Sequence, residues 1–191
     1  MTWPTFLILL VVAVVLDSSF APVFAIEGVQ PDFTPALVVF VAMYAARPTT
    51  MWAAFVGGLL VDLTTPALFE GLRPYQLIGP TILGYVFGAM VVIPLRTIVV
   101  RKNPLAFGFL VVLFAIAAML VTTSIHSARG WYAGTLPPWM EEEQTALRWM
   151  WHGTLEAVAS GVLAILLAWP LQRMLGAFGF SGAAPWSSRR N

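Results

Sequence analysis

Six apolar runs, separated by more polar segments, constrain this sequence more than any other feature. The clearest are FLILLVVAVVL at 6–16 and the runs near 77–94, 105–127 and 151–171. A membrane-spanning helix needs about 20 apolar residues. Only 10% of the 191 residues are charged, whereas soluble proteins carry roughly 25%. The pattern predicts an all-α integral membrane protein, folded as a bundle of six transmembrane helices.

The runs between Pro31 and Thr65 are harder to interpret. DFTPALVVFVAMYAA and TMWAAFVGGLLVDL are each short, and Arg47 lies between them. As helices they would cover roughly 21–24 Å, less than the usual hydrocarbon thickness. They predict either two thin spans or one re-entrant hairpin. Arg47 favours two spans, because a hairpin would leave its charge inside the bilayer.

Basic residues are distributed unequally between the two sides of this topology. With a cytoplasmic N-terminus, the inner side holds Arg47, Arg96, Arg101, Lys102, Arg173, Arg189 and Arg190, and the outer side holds Arg73, Arg129 and Arg148. Such a bias is typical of a bacterial inner-membrane protein with both termini in the cytoplasm. We expect the first five of these inner residues to contact lipid headgroups rather than nucleic acid.

The sequence divides into one domain over residues 1–175 and a flexible cytoplasmic tail over residues 176–191. The long polar connection at 128–150 lies on the outer side and contains Trp131, Trp139 and Trp149. Tryptophan is enriched at the headgroup level of membranes. The segment is either an interfacial helix that anchors the last span or a docking surface for an extracytoplasmic partner.

A lone carboxylate, Asp62, follows the apolar element VGGLLV. Counting back by fours gives Gly58, Ala54 and Thr50, which are small and share one helical face. Rows of small residues let a second membrane helix approach closely. A similar row in the fourth span contains Gly84 and Gly88. We therefore expect Asp62 to lie at the end of a packing stripe rather than facing lipid.

Five ionisable groups fall in the outer half of the predicted bundle: Asp17, Asp62, His126, His152 and Glu156. Three interpretations of this layer remain open, namely hydrogen bonds between helices, a ligand pocket, or a metal site. We expect no catalysis and no cofactor, because the sequence has no H-E-x-x-H, G-x-S-x-G or phosphate-binding loop. Isolated serines and histidines of the helices are expected to pack or to bond to their own backbone rather than to act as nucleophiles or bases.

The stretch QPDFTPALVVFVAMYAARPTTMWAAFVGGLLVDLTTP, residues 30–66, resembles the rod shape-determining MreD family. The shared features are Pro31 and Asp32 before the second helix, Pro48 in the third, and G-L-L-x-D-L from Gly58. A following LGY and a last helix with a proline before Arg173 are also similar. The family-marked positions are Pro31, Asp32, Gly58 and Asp62, and the resemblance covers roughly residues 5–175.

The resemblance implies a non-enzymatic inner-membrane component of the bacterial cell-elongation machinery, which makes peptidoglycan. Such a protein would bind MreC and, through it, MreB, RodA and the partner transpeptidase of RodA. It also implies a fold like the substrate-binding S-components of energy-coupling-factor transporters. The rival hypothesis is therefore an S-component that binds a small vitamin or ion in the outer polar layer. Neither the partner-binding helices nor the oligomeric state follows from the sequence.

Overall fold

The computed structural model describes residues 1–25, 28–64, 67–69, 73–75, 77–98, 103–129 and 145–180. Six α-helices make up most of this part of the chain: α1 Trp3–Ser19, α2 Phe33–Tyr44, α3 Arg47–Thr64, α4 Pro80–Leu95, α5 Pro104–Arg129 and α6 Ala146–Arg173. A 3-10 turn at Ala21–Phe24 follows α1. Two short antiparallel strands, β1 Ala67–Phe69 and β2 Arg73–Tyr75, lie between α3 and α4 and pair Leu68 with Pro74.

Helical membrane character is confirmed at the level of length and hydropathy. The spans that begin at Trp3, Pro104 and Leu147 are long and apolar enough to cross a membrane. The helices α2 and α4 are apolar but shorter. The β-hairpin is a departure from the all-α prediction. It falls in the connection after Thr64, where the apolar helical pattern of α3 has ended.

The shortest helix, α2, occupies the centre of the bundle. It packs against all five other helices, and every residue from Thr34 to Met43 is buried. A helix that is apolar on all sides belongs in an interior. Its 12 residues extend only about 18 Å. Burial explains how so short a helix is accommodated, because its faces contact protein rather than lipid. The predicted stretch forms two separate helices, α2 and α3, with the break between them at Ala45 and Ala46.

Arg96 closes the C-terminal end of α2. Its guanidinium donates hydrogen bonds to the carbonyl oxygens of Ala42 and Ala45, the latter at 2.6 Å. The last carbonyls of a helix lack intrahelical partners and carry partial negative charge. Arg96 was predicted to contact lipid headgroups. Its guanidinium instead binds backbone carbonyl oxygens at the end of α2.

Glycines allow α4, α5 and α6 to pack closely. A Cβ atom on Gly84 would lie 2.8 Å from the carbonyl oxygen of Ala118, and one on Gly88 would lie 2.8 Å from the ring of Phe114. The next contact, between α5 and α6, is similar, since a Cβ on Gly108 would lie 2.7 Å from the carbonyl oxygen of Gly161. The predicted packing role of the fourth-span glycines is confirmed, with α5 as their partner.

The chain beyond Arg173 returns to the bundle. Phe178 is fully buried, and its ring centroid lies 5.3 Å from that of Phe40 in α2. The backbone N–H of Thr2 donates to the carbonyl oxygen of Phe178 at 2.9 Å. Phe180 stacks on Phe178. The domain therefore extends to Phe180, and the flexible tail predicted for 176–191 is wrong over 176–180. Residues 181–191 lie outside the described part of the chain.

Phe178→Ala should destabilise the bundle by about 3–4 kcal/mol, because it leaves a large cavity beside Phe40. Thermal unfolding of the purified protein in a mild detergent measures the effect. Phe109→Ala is the matched control, since Phe109 is exposed on the outside of α5. A chain ending at Leu175 that unfolds at the temperature of the full chain would contradict this role.

Candidate functional site

Asp62 holds the N-terminal end of α4. Its carboxylate accepts hydrogen bonds from the backbone N–H groups of Gly79 at 2.8 Å, Thr81 at 3.2 Å and Ile82 at 3.4 Å. The first N–H groups of a helix have no intrahelical partners, and the positive end of the helix dipole favours a carboxylate. Asp62 itself is 5% exposed. The acid therefore acts as a cap supplied by a different helix.

The stripe on which Asp62 lies is buried along its whole length, as predicted, and comprises Thr50, Ala54, Gly58 and Asp62. Gly58 is the closest contact. A Cβ atom there would lie 2.6 Å from the Cα of Ile82 and 2.8 Å from the carbonyl oxygen of Thr81. Gly58 thus brings the backbones of α3 and α4 together. That approach, one turn before Asp62, lets the carboxylate reach the amides.

Asp17 repeats this arrangement at α2. Its carboxylate accepts hydrogen bonds from the backbone N–H groups of Phe33 at 2.5 Å and Thr34 at 3.2 Å, and from the Thr34 hydroxyl. Asp32, the residue at the capping position of α2, makes no such side-chain bond. Two odd-numbered helices therefore each supply a carboxylate that caps the following helix. Both carboxylate caps lie at one end of the bundle, and Arg96 lies at the other. We call the end with the two caps the acidic end.

A cavity of about 340 Å³ lies between the start of α2 and helices α3, α4, α5 and α6 at the acidic end. Two carboxyl groups, a histidine and two aromatic rings contribute to its lining: Asp32, Glu156, His152, Tyr85 and Trp149. Much of the remaining wall is apolar, for example Pro35, Val61 and Met119. A second cavity of about 410 Å³ lies against α1 and is lined by Asp17 and Gln30. Both cavities share Asp32, Val61 and Tyr85.

Asp32 connects the elements around these cavities. It lies before the first residue of α2, outside the helices, and its backbone N–H donates to the Ser160 hydroxyl at 2.9 Å. That hydroxyl donates in turn to the carbonyl oxygen of Glu156 at 2.8 Å. Burial, followed by the negative charges of Asp17 and Glu156, raises the pKa of Asp32 from 3.8 to about 7.

The raised pKa of Asp32 predicts a pH-dependent stability. Because the folded protein holds this proton more tightly than the unfolded chain does, the contribution is fully favourable below about pH 4 and declines as the pH rises through about 7. The unfolding temperature should therefore fall between about pH 5 and about pH 8, and fall less in Asp32→Asn, which cannot titrate. Parallel melting curves of the two proteins provide the measurement, and equal pH dependence would contradict the assignment.

The predicted polar layer is brought together only in part. Asp17, His152 and Glu156 line the cavities, while Asp62 caps α4 and His126 lines neither cavity. In the described ranges, no group of three or more His, Asp or Glu side chains could hold a metal ion. The hydroxyls of Ser18 and Ser124 donate to the carbonyl oxygens four residues earlier, and this confirms the predicted backbone bonding.

Three further residues lie in the described part of the chain: one that was predicted for the outer segment and two that were predicted for the basic inner surface. Trp149 lines the cavity of about 340 Å³ instead of standing only in an outer loop. Arg47 is exposed at the start of α3. Arg173 is exposed and lies 3.5 Å over the ring of Trp169. The remaining residues predicted for these surfaces lie outside the described part of the chain: Trp131, Trp139, Arg101, Lys102 and most of 128–150.

Comparisons with known proteins identify no counterpart of this arrangement. A scan against protein-family models, a search of curated proteins and a search of solved structures find no match to the chain. The site therefore rests on its own residues: two carboxylate caps, a close contact at Gly58, and a pair of cavities that meet at Asp32.

Proposed function

We propose that this protein is a non-enzymatic scaffold of the bacterial cell-elongation machinery, akin to the MreD family, and that it binds MreC in the inner membrane. In this proposal all six helices cross the bilayer and both termini are cytoplasmic. MreB, RodA and the transpeptidase partner of RodA would associate through MreC. The residues that carry the family resemblance include Pro31, Asp32, Gly58 and Asp62.

The observation that carries the proposal is the junction of Gly58 and Asp62 with the start of α4. The carboxylate of Asp62 accepts three backbone hydrogen bonds, so its polar capacity is used to hold two helices in register. A group engaged in this way supports a structural role better than proton transfer. Arg96 and Asp17 act similarly on α2. Ionic groups that organise a bundle are what a rigid partner-binding scaffold requires.

Co-purification from native bacterial membranes tests the proposal. The affinity-tagged full chain, extracted in a mild detergent, should recover MreC in near-stoichiometric amount. An unrelated tagged six-helix membrane protein, extracted in parallel, sets the background. Recovery of an ATPase module with a coupling subunit in place of MreC would contradict the scaffold and support transport.

A second candidate function is that of a transporter S-component, and the cavities at the acidic end favour it. A ligand-binding unit needs a pocket of roughly 300–1,000 Å³ with a few polar groups on apolar walls, and the cavity of about 340 Å³ has this character. The outward face of α1 counts against it. The resemblance to S-components implies docking through small residues there, whereas Ala13 is buried and Leu7, Val11 and Val15 are exposed.

A further inference from the structure

The two cavities at the acidic end are lined by more acidic than basic side chains. Asp17, Asp32 and Glu156 contribute carboxyl groups, whereas the described lining residues include one histidine, His152, and no lysine or arginine. In a protein interior an unpaired negative charge is costly, so it is neutralised by a proton or by a cation. The lining therefore leaves room for a positively charged group between helices.

Asp32 is the carboxylate best placed to receive such a group. The carboxylate of Asp17 is already engaged by the start of α2. By contrast, within the described residues no hydrogen bond to the Asp32 side chain is present, although Asp32 lines both cavities. Only its backbone N–H is engaged, by Ser160. Among the described residues, the Asp32 carboxylate therefore has no hydrogen-bond partner at the point where the cavities meet, and the charge of Glu156 lies close enough to act on it.

The rest of the wall distinguishes an organic cation from a bare metal ion. The rings of Tyr85 and Trp149 line the first cavity beside the acids, and aromatic faces attract ammonium groups. Apolar residues such as Pro35, Val61 and Met119 would suit a hydrocarbon body. A metal would need several close donors, and no such group is present in the described ranges. A volume of about 340 Å³ also exceeds what a single ion occupies.

We propose that these cavities bind a small organic cation, with its ammonium group at Asp32 facing Glu156 and its apolar body against Tyr85. The inference depends on the cavity alone and not on the scaffold role. A scaffold could carry such a molecule as an effector, and an S-component could carry it as cargo. Binding is therefore measured on the isolated chain, and partner capture on native membranes, so that either result can fail without the other.

The test is calorimetric titration of the purified full chain with two probes, phenethylamine and choline. Phenethyl alcohol, which has the body of phenethylamine without its charge, is the matched neutral probe. A maltoside detergent is used, because detergents with choline headgroups would compete. At least one cation should bind saturably, and the alcohol should bind at least about tenfold more weakly, as expected for loss of a charged partner.

Asp32→Asn should weaken binding of the cation by about tenfold or more. Its fold should survive, because no described residue depends on that carboxylate for a hydrogen bond. Ser124→Ala is the control, since the Ser124 hydroxyl donates to the carbonyl oxygen of Leu120 within α5, and Ser124 is not among the described lining residues of either cavity. The proposal is overturned if neither cation binds, if phenethylamine and its alcohol bind equally, or if Asp32→Asn binds like the parent.

Discussion

Asp62→Leu should lower the stability of the bundle by about 3 kcal/mol and reduce capture of MreC. The substitution leaves the N–H groups of Gly79, Thr81 and Ile82 without their acceptor. Loss of a helix cap costs about 0.5–2 kcal/mol, and each buried donor left unpaired adds about 1–3 kcal/mol. The value of about 3 kcal/mol counts loss of the cap and one fully unpaired donor, the N–H of Gly79, because Thr81 and Ile82 donate at longer distances. Thermal unfolding in detergent gives the stability, and quantitative co-purification gives the capture.

Asp62→Asn is the matched control for charge. Its amide oxygen can still accept one or two of the hydrogen bonds but offers no negative charge to the helix dipole. We therefore expect a loss of about 1 kcal/mol, clearly smaller than in Asp62→Leu. Full stability together with full association with MreC in Asp62→Leu would show that Asp62 has neither role.

Gly58→Ala should be at least as damaging as Asp62→Leu. The added Cβ would lie 2.6 Å from the Cα of Ile82 and 2.9 Å from its backbone nitrogen. Backbone atoms cannot turn aside as a flexible side chain can, so α3 and α4 must separate. That separation carries Asp62 away from the amides it caps. We expect a loss of about 3–5 kcal/mol, in the upper range for single substitutions, measured by the unfolding temperature and by yield from membranes.

The adjacent glycine provides the control for this experiment. A Cβ on Gly57 would lie 3.0 Å from a methyl group of Val38 and clear of backbone. The side chain of Val38 can shift by a few tenths of an ångström, and alanine is about 1 kcal/mol better than glycine in a helix. Gly57→Ala should therefore be nearly neutral. Equal damage from the two alanines would show that close approach of α3 and α4 is not what Gly58 provides.

Gly58→Ala and Asp62→Leu can be combined in one chain to test whether Gly58 and Asp62 act as one unit. If alanine at Gly58 already pulls the carboxylate from its partners, leucine at Asp62 has little left to remove. The double variant should then be less destabilised than the sum of the single variants by about 1–2 kcal/mol. Additive losses would indicate that packing at Gly58 and capping by Asp62 are independent.

Several features of the fold follow from local patterns in the sequence. The apolar runs predict α1, α4, α5 and α6 to within a few residues, because length and hydropathy are properties of each segment alone. The spacing of Thr50, Ala54, Gly58 and Asp62 likewise predicts a buried face, since residues four apart share one side of a helix. The short run DFTPALVVFVAMYAA leaves two interpretations open, because its length alone does not show that α2 is surrounded by protein.

The contacts that form the candidate site do not follow from such local patterns. Asp17 and Asp62 could be identified as interior acids, but not as caps of α2 and α4. Asp32 was marked only by family resemblance, and nothing in its neighbourhood indicated that two cavities meet there. Phe178 falls in the segment 176–191 that the sequence predicts to be a flexible tail, beyond the last apolar run. The two phenylalanines there, Phe178 and Phe180, form no periodic apolar pattern that would predict their burial.

The sequence by itself determined that this is a helical membrane protein with acids and glycines on inward faces, because those properties arise from neighbours along the chain. Only the tertiary structure decided what the acids hold. The hydrogen bonds of Asp17, Asp62 and Arg96 join residues 16, 17 and 54 positions apart. Such bonds depend on where the end of one helix lies relative to the side of another, and that relation is set by packing of the whole bundle around α2.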